Sequence, residues 1–438
     1  MGKIVGIDLG TTNSCAAHVV NKIPRIIPIE SGFNTMPSVV TYHPNGSVYV
    51  GQAAKELGVT LPAATVPESK RLIGRPFASK VAEALSHRVR YAVVADSNGE
   101  SAVRVGSQIH TAADVQTVIL AQMKRYVEIN LGEDVPEAVI AVPAYFNERQ
   151  RNIVIESGKR AGFQVRRVVN EPTAAALAYG FNRSFAQRVL VYDFGGGTFD
   201  ISILDVRNNT FEVLATGGDV FLGGADFDER VLHWIVHEVK KQTKVESIED
   251  PAVLQRLRGV AERAKVELSI LANTQLRLPS LLERRGKPVD VELMMGRETL
   301  NSLTSDLVLR SLQVVDILLE RRKISKESID ELVLVGGQTR MPLVIDSVAA
   351  HFNKQPRKGV HPDESVALGA ALVGDSLDKG DSLTLVDTVS GPFEPEISDQ
   401  VPPLPPNMPG FGPTADAAGP EESRGGLRDL VRNVFGRR

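Results

Sequence analysis

The sequence predicts an α/β fold in which one structural unit occurs twice. Three segments are apolar strands that end in a glycine-rich turn: Lys3 to Gly10, Val189 to Gly197 and Glu331 to Gly337. Two further segments, Pro172 to Gly180 and Pro362 to Gly374, repeat as proline-led helices rich in alanine and glycine. Because both kinds of segment recur in the same order, we interpret the chain as two related halves. Chance similarity between ordinary strand–turn–helix units is the alternative.

The repeated helices have two further features. Proline is suited to the first helical position, where its missing N–H costs nothing, so Pro172 and Pro362 are predicted to open their helices. The small side chains predict thin helices that cross closely. Amphipathic patterns at Thr111 to Asn130 and Thr304 to Glu320 predict helices that pack on the core.

Composition excludes several classes of function. The 438 residues are enough for two or three domains or one large bilobed unit. The net charge of −3 provides no positive field that would recruit nucleic acid. The single cysteine, Cys15, permits no intrachain disulfide, and no apolar run approaches the roughly 20 residues of a membrane helix. The N-terminus has no signal-peptide pattern. We therefore expect a cytoplasmic protein without a transmembrane segment.

Two of the glycine-rich turns carry the residue types of a phosphate site. In each turn an Asp ends the strand, a Gly follows two residues later and a Thr follows: Asp8, Gly10 and Thr11 in DLGTTN, and Asp193, Gly195 and Thr198 in DFGGGTFD. Backbone N–H groups in such turns bind phosphate oxygens, and an Asp at the strand end can hold a hydrated Mg²⁺. Two facing turns would bind a polyphosphate from both sides. Such positioning and charge neutralisation are most of what phosphoryl transfer requires. Two tight hairpin turns without a ligand are the alternative.

Nine motifs resemble the DnaK-type family of seventy-kilodalton heat-shock chaperones, in that family's order and over roughly residues 2 to 380. They are GIDLGTTNSC, KRLIGR, VPAYFNERQR, NEPTAAALAYG, YDFGGGTFDISI, LGGADFD, ERAKVELS, LVGGQTRMP and HPDESVALGAA. Actin and sugar kinases share the fold, but KRLIGR and VPAYFN are typical of the chaperone family alone. The resemblance implies an actin-like, ribonuclease H-like duplicated, two-lobed ATPase fold with a central nucleotide cleft. Lobe I is expected at 1–182, with 358–380 returning to it, and lobe II at 183–357.

The resemblance also assigns roles to single residues. The expected catalytic residues are Asp8, Lys70, Glu171, Asp193 and Thr198. Lys70 would lie beside the γ-phosphate and the attacking water, and Glu171 would orient that water. Asp8 and Asp193 would hold Mg²⁺ through its waters. The other expected contacts to ATP or ADP are Gly10, Thr11, Thr12, Asn13, Gly195, Gly196, Gly197, Asp200, Glu262, Lys265, Ser269, Gly336, Gly337, Gln338, Arg340 and Asp363.

Within that set, the family resemblance assigns different parts of the nucleotide to different residues. Residues 11–13 would hold the phosphates from lobe I, and residues 196–198 would hold them from the opposite side. The residues of ERAKVELS and of LVGGQTRMP would enclose the adenosine. Pro143 and Arg151 match a relay from the nucleotide to the surface of lobe I.

The family's partners are a J-domain co-chaperone and a nucleotide-exchange factor. Glu148 replaces the usual Asp in the region where J-domains dock, and Ile155 and Gly359 stand where the family has Lys and Asp. These departures concern the residues that would couple the chain to its partners. The phosphate motifs themselves match the family.

The C-terminal part departs most from the family. Residues 381–389, which include LTLVD, predict a trace of the interdomain linker, and no run of strands for a peptide-binding β-sandwich follows. Residues 390–425 are Pro-rich and predict a disordered linker, in which PPLPP at 402–406 is a spacer or a polyproline ligand. Residues 426–438 predict a short basic amphipathic helix. We expect its apolar face to bind a groove on a partner protein; an anionic membrane and a fraying tail are the alternatives.

Three functions fit the sequence. The first is an ATP-hydrolysing, chaperone-family protein that cycles between nucleotide states and acts through a partner, without its own peptide-binding domain. The second is an ATP-binding regulatory or scaffold protein with negligible hydrolysis. The third, a kinase with a small-molecule acceptor, would need a base for that acceptor, and the sequence offers none that we can assign.

Overall fold

The computed structural model describes residues 4–29, 32–180, 186–207, 210–284, 287–357, 361–379, 384–386 and 396–398. The described residues form two compact units. The first comprises the described parts of Met1–Ala225, Gln313–Thr339 and Arg357–Val401, and the second those of Asp226–Leu312 and Arg340–Pro356. The first unit therefore contains all three glycine-rich turns. The division into lobes at residues 182 and 183 stays a prediction.

The described secondary structure contains both strands and helices throughout. The strands are β1 (Ile4–Asp8), β2 (Asn13–Val20), β3 (Ile23–Ile27), β4 (Met36–Pro37), β5 (Val40–Tyr42), β6 (Val48–Val50), β7 (Thr65–Val66), β8 (Ala92–Ala95), β9 (Ser101–Val105), β10 (Gln108–Thr111), β11 (Glu137–Val142), β12 (Gln164–Asn170), β13 (Ala186–Phe194), β14 (Phe199–Arg207), β15 (Thr210–Asp219), β16 (Asn273–Arg284), β17 (Lys287–Gly296), β18 (Glu331–Val335), β19 (Thr384–Val386) and β20 (Glu396–Ser398). The α-helices are α1 (Gln52–Leu57), α2 (Lys80–Arg88), α3 (Ala112–Leu131), α4 (Glu148–Arg160), α5 (Glu171–Gly180), α6 (Gly224–Thr243), α7 (Pro251–Leu268), α8 (Arg297–Arg322), α9 (Pro342–Phe352) and α10 (Ser365–Lys379).

Two sheets of the first unit repeat one arrangement of strands. The first sheet has the order β12-β11-β1-β2-β3, with β4 also paired to β2, and the second has the order β18-β13-β14-β15-β19, with β20 also paired to β15. In the first, β1 forms an antiparallel hairpin with β2 and pairs in parallel with β11. In the second, β13 pairs in the same two ways with β14 and β18. Each hairpin contains one of the phosphate-type turns, which confirms the predicted repeat.

The two small-residue helices pack between these sheets. One core cluster joins apolar residues of both sheets to residues of α5 and α10. A Cβ on Gly369 of α10 would lie 1.8 Å from the carbonyl oxygen of Ala174 in α5, and a Cβ on Gly6 of β1 would lie 2.0 Å from Ala371 N. No side chain fits at either glycine without moving the backbone. The predicted close crossing of thin helices is confirmed.

The start of α10 corrects one sequence prediction. Pro172 lies in the first turn of α5, as expected, but Pro362 lies in a turn that precedes α10, and the helix begins at Ser365. The Pro362 carbonyl accepts a hydrogen bond from Gly336 N (3.0 Å). The Asp363 carbonyl accepts one from Cys15 Sγ (3.4 Å). These tertiary contacts use carbonyls that a helix opened at Pro362 would need, so the prediction for Pro362 is wrong.

The second unit combines three helices, the first half of α8 and a long hairpin. Helices α6, α7 and α9 belong to it, and β16 pairs antiparallel with β17. Asp250 caps α7 by accepting a hydrogen bond from Ala252 N (2.8 Å), with Pro251 in the first turn. Arg230 of α6 is buried and donates to Asp306 of α8 (2.9 Å), so these two helices are joined by a charged contact.

Two short segments near the end of the described chain add strands to the edge of the second sheet. Residues Thr384–Val386, within the expected linker trace, pair in parallel with β15 at Thr210–Glu212. Residues Glu396–Ser398, within the predicted Pro-rich linker, pair in parallel with Gly217–Asp219. The rest of that linker and the predicted helix at 426–438 lie outside the described residues. Within the described parts of the chain, no helix is both long and apolar enough to cross a membrane.

Candidate functional site

The first phosphate-type turn joins the central strand of the first sheet to its hairpin partner. Strand β1 ends at Asp8 and β2 begins at Asn13, so the predicted contacts Gly10, Thr11 and Thr12 form the turn itself. A Cβ on Gly10 would lie 2.0 Å from the carbonyl oxygen of Asn13. The tight closure of this turn therefore requires glycine at position 10.

The second phosphate-type turn occupies the same place in the second sheet. Strand β13 ends one residue after Asp193, and β14 begins directly after Thr198. Gly195 N donates to the carbonyl of Thr198 (3.0 Å), which closes the turn. The carbonyls of Gly195 and Gly196 accept hydrogen bonds from Gly224 N and Ala225 N (3.0 and 2.8 Å), at the start of α6.

The two turns lie against each other. A Cβ on Gly196 would be 2.4 Å from Thr12 Oγ1, and a Cβ on Gly197 would be 3.0 Å from Thr11 Cγ2. The structure therefore brings together the two glycine-rich segments that the sequence places almost two hundred residues apart. Their backbones approach closely because neither glycine has a side chain.

A buried ion pair lies next to these turns. Lys70 belongs to a short 3₁₀ helix, Ser69–Leu72, and Glu171 is the first residue of α5. Lys70 Nζ donates to Glu171 Oε1 at 2.7 Å, and both side chains are at most 10 % exposed. Lys70, Thr11 and Thr198 line one cavity of about 20 Å³, so Lys70 and the two turns share a space.

Burial, with neighbouring negative charge as the second cause, raises the pKa values of three Asp side chains at the site. Burial, followed by the charge of Glu171, raises the pKa of Asp8 to about 7 and that of Asp200 to about 8. The same two causes raise the pKa of Asp193 well above its usual range. Thr198 Oγ1 donates to Asp200 Oδ2 (3.0 Å), whereas Asp200 Oδ1 is buried with no hydrogen-bond partner among the described residues. Buried carboxylates in this state are stabilised by a cation, so the residues present fit a hydrated Mg²⁺.

The third glycine-rich turn packs beside the second. Gly336 has φ +83°, and a Cβ on it would lie 2.7 Å from Asp193 Oδ1. A Cβ on Gly337 would lie 2.9 Å from Asp363 Oδ1. Gln338 is buried in the 3₁₀ helix that follows. These four predicted contacts therefore lie in the first unit with the phosphate turns.

The remaining predicted contacts belong to the second unit. Glu262 and Lys265 lie on α7, and Ser269 directly follows that helix. Their spacing of three and four residues places them on one helix face. Lys265 Nζ lies 2.9 Å from Asp228 Oδ1, and Ser269 Oγ donates to the carbonyl of Lys265 (3.2 Å). Arg340 also belongs to this unit.

The expected relay residues lie next to the ion pair. Arg151 Nη2 donates to Asn170 Oδ1 (2.5 Å), and Asn170 directly precedes Glu171. Arg151 Nε donates to the carbonyl of Phe146 (2.9 Å), and the Phe146 ring centroid is 5.9 Å from Lys70 Nζ. Pro143 lines the same cavity as Lys70. Glu148 is the first residue of α4, where the helix dipole favours either carboxylate. Gly359 lies outside the described residues.

Arg71 is a site residue to which the sequence analysis assigned no role. Its Nη2 donates to the carbonyl of Gly197 (2.5 Å) and its Nε to Glu68 Oε2 (2.7 Å). The guanidinium therefore contacts the second phosphate turn directly. The sequence signal that could have indicated a role for Arg71 is the Lys-Arg pair in KRLIGR. The two adjacent cations are buried in the structure, and each buried cation requires a partner.

The sequence profile of the family described as Hsp70 protein matches residues 4–395. The chain belongs to the Hsp70 family. It is 44 % identical over 382 residues to the chaperone protein DnaK of Buchnera aphidicola subsp. Schizaphis graminum (strain Sg), which covers 86 % of this chain and 60 % of that relative. The chain thus spans less than two thirds of the length of this Hsp70 relative.

Membership in the Hsp70 family confirms two sequence predictions. The family resemblance is correct, and the fold is the actin-like two-lobed fold of Hsp70 nucleotide-binding domains. Hsp70 proteins in general bind ATP or ADP with Mg²⁺, which agrees with the residue types gathered around the two phosphate turns.

Proposed function

We propose that the chain is a Mg²⁺-dependent ATP hydrolase of the Hsp70 family whose nucleotide cycle acts on another protein. The observation that carries this proposal is the buried Lys70–Glu171 ion pair, whose Lys70 lines the cavity beside the phosphate turns. Such a pair is costly to desolvate and contributes little to stability by itself. Its position beside a phosphate site is therefore better explained by function.

The two facing turns would hold the phosphates of ATP. Thr11, Thr12 and Asn13 would contact them from one side, and Gly196, Gly197 and Thr198 from the other. Backbone N–H groups in such turns point at phosphate oxygens, and glycine lets the backbone approach them closely. Gly10 and Gly195 would keep the two turns tight.

Asp8, Asp193 and Asp200 would complete the site around a hydrated cation. Asp8 and Asp193 would hold Mg²⁺ through its waters, and the ion would neutralise charge on the phosphate oxygens. Asp200 would accept from the same hydration shell through Oδ1, which has no hydrogen-bond partner among the described residues.

Lys70 and Glu171 would carry out the hydrolytic step. Glu171 would accept a hydrogen bond from the attacking water and orient it toward the γ-phosphorus. Lys70 Nζ would stabilise the negative charge on the γ-phosphate oxygens as the bond to ADP breaks. Removal of one such stabilising group costs on the order of 3 kcal/mol in the transition state.

The nucleoside would be bound by the remaining predicted contacts. We infer that these contacts are Gly336, Gly337, Gln338, Asp363, Glu262, Lys265, Ser269 and Arg340. The close packing at Gly336 and Gly337 and the shared face of α7 support this inference.

The output of the nucleotide cycle is proposed to pass to a partner protein. The Hsp70 relative is a chaperone, and that family implies a J-domain co-chaperone and a nucleotide-exchange factor as partners. The amphipathic face of residues 426–438 is proposed as a docking element for a partner groove. We place this activity in the cytoplasm.

A single-turnover experiment tests the proposal. The chain in excess is mixed with ATP, with and without Mg²⁺, and ADP formation is measured over time. Mg²⁺-dependent conversion well above the spontaneous rate is the expected result. Tight ATP binding without conversion would instead support the ATP-binding regulatory or scaffold function.

A further inference from the structure

Phe221 is a buried aromatic residue with no role in the hydrolysis proposed above. It lies between β15 and α6, and its side chain is fully buried. The ring packs with Val81 of α2 and with Val220 in a small apolar cluster. The backbone N–H of Phe221 donates to Asp219 Oδ1 (3.0 Å). Side-chain packing and this hydrogen bond therefore hold the ring in one place.

Two guanidinium groups lie against the ring of Phe221. The guanidinium carbon of Arg71 is 5.1 Å from the ring centroid, and that of Arg88 is 5.8 Å from it. A cation within about 6 Å of a ring centroid is attracted by the ring quadrupole, and the attraction is strongest where water is excluded. The Arg71 side chain is 2 % exposed, so its contact with the ring is desolvated. The ring therefore stabilises Arg71 in its observed orientation.

Glu68 is the anionic partner of the same guanidinium groups. Its Oε2 accepts a hydrogen bond from Arg71 Nε (2.7 Å). Burial by itself would raise the pKa of Glu68, but the charges of Arg71 and Arg88 outweigh burial and hold that pKa below its usual range. Glu68 has φ +57°, a left-handed conformation that residues other than glycine rarely adopt, so its surroundings must hold it there. A carboxylate and an aromatic ring thus fix Arg71 together.

Arg71 connects this cluster to the proposed catalytic centre. It directly follows Lys70 in one short 3₁₀ helix, and its Nη2 donates to the carbonyl of Gly197 in the second phosphate turn. Phe221 is joined to the same turn by a second route. The first two residues of α6, which follow Phe221 closely, donate to carbonyls of that turn at 3.0 and 2.8 Å. The ring therefore lies where the segment that carries Lys70 meets the second phosphate turn.

We propose that Phe221 is a positioning residue for ATP hydrolysis and that it acts through Arg71. The ring holds the guanidinium against the carbonyl of Gly197, and this contact fixes the neighbouring Lys70 relative to the second phosphate turn. A charge-stabilising group that is slightly misplaced loses more of its effect on the transition state than on the bound substrate. Loss of the ring therefore lowers the rate of hydrolysis and leaves ATP affinity nearly unchanged. This inference rests on the proposed function.

Phe221→Leu tests the inference, because leucine keeps an apolar side chain against Val81 and Val220 but has no aromatic ring. Phe221→Met is a second variant, whose longer side chain fills more of the space that the ring leaves. The matched control is Phe211→Leu, which changes a buried phenylalanine of β15 in the core between the two sheets. The single-turnover rate with Mg·ATP, the ATP affinity and the denaturant unfolding midpoint are measured on each full-length chain.

We expect Phe221→Leu and Phe221→Met to slow the single turnover about tenfold and to keep ATP affinity within about twofold of the parent value. Phe211→Leu should lower the unfolding midpoint and retain the parent rate. The parent rate in a folded Phe221 variant, or a loss confined to ATP affinity, would overturn the inference. A parent chain that binds ATP without converting it would instead contradict the proposed function, so the two failures are distinct.

A second measurement shows whether Phe221 acts through Arg71. Arg71→Met removes the guanidinium and keeps an unbranched side chain, and Phe221→Leu is then added to that chain. Residues that act as one unit have non-additive effects on rate, whereas independent losses add. Phe221→Leu should therefore slow hydrolysis about tenfold in the parent chain but less than about twofold in Arg71→Met. A further loss of about tenfold in Arg71→Met would show that Phe221 does not act through Arg71.

Discussion

Lys70 Nζ lies 2.7 Å from Glu171 Oε1, and this contact joins two segments that are 101 residues apart in the sequence. Both side chains are buried. Arg151 donates hydrogen bonds to Asn170, which precedes Glu171, and to the carbonyl of Phe146, whose ring lies near Lys70. The pair is therefore held in position by contacts within the chain. Preorganised charges of this kind act most strongly in a site from which water is excluded.

The facing turns predict that one hydroxyl and one carboxylate govern Mg·ATP binding. Thr198→Ala removes the only hydrogen bond that the described residues make to the Asp200 carboxylate, and Asp8→Asn removes one charge from the proposed cation site. We expect each change to weaken Mg·ATP binding or turnover about tenfold or more while the fold is retained. Equilibrium titration and steady-state turnover measure both effects. Unchanged affinity and turnover in both variants would exclude the two-sided phosphate site.

The raised pKa values of the Asp cluster predict an unusual dependence of stability on pH. Asp8 and Asp200, with pKa values of about 7 and about 8, bind more protons in the folded state than in the unfolded state. Stability without Mg²⁺ should therefore fall as pH rises from the unfolded pKa of 3.8 toward these values, and level off above them. Between about pH 6 and about pH 9 the fall should be on the order of 1 kcal/mol per group. Denaturant unfolding at about pH 6 and about pH 9 measures this change.

The control for that pH dependence is a pair of isosteric variants. Asp200→Asn removes one titrating group and should reduce the loss of stability at high pH. Asp346→Asn, at an exposed position of α9, should leave it unchanged. Addition of Mg²⁺ with ADP should also reduce the loss. Stability that rises with pH over this range would contradict the electrostatic description of the site.

Glycine at the crossing of α5 and α10 predicts a specific loss of stability. A Cβ at position 369 would overlap the carbonyl oxygen of Ala174, and relief of that overlap requires the two helices to separate. We expect Gly369→Ala to destabilise the protein by about 3 kcal/mol or more. Gly259→Ala on α7 is the control, because a Cβ there has no heavy atom within 4 Å. Similar unfolding midpoints for the two variants would show that α5 and α10 do not pack as described.

The C-terminal segment predicts a separable docking element. Leu427, Leu430, Val431, Val434 and Phe435 share one face of the helix predicted at 426–438, and so short a helix orders only when that face is covered. We expect the double variant Leu430→Asp, Phe435→Asp to lose the partner proteins that the parent chain retains and to keep the parent ATPase rate. Quantitative recovery of the same partners by parent and double variant would exclude this segment as the docking element.

Most of the fold and much of the site could be predicted from the sequence because their signals are local. Each phosphate-type turn follows an apolar strand and carries its own Asp, Gly and Thr, so one short segment reveals both structure and chemistry. A close crossing of α5 and α10 could be predicted because both segments are rich in alanine and glycine, and the structure places it at Gly369 and Ala174.

The predictions that failed or were missing depend on tertiary contacts. The turn that contains Pro362 precedes α10 because Gly336 and Cys15 use the carbonyls of residues 362 and 363, and neither contact is visible in a local pattern. Arg71 contacts Gly197 across 126 residues of sequence. The pKa shifts of Asp8 and Asp200 require burial together with Glu171, which only the folded chain brings near them.

The most direct test of the central claim is the single-turnover hydrolysis of Mg·ATP by Lys70→Ala. The variant removes the Nζ group that would stabilise the γ-phosphate charge, and the exposed Lys80→Ala is its matched control. We predict that Lys70→Ala binds ATP but forms ADP at least a hundredfold more slowly than the parent chain, whereas Lys80→Ala retains the parent rate. Hydrolysis by Lys70→Ala at the parent rate would contradict the account.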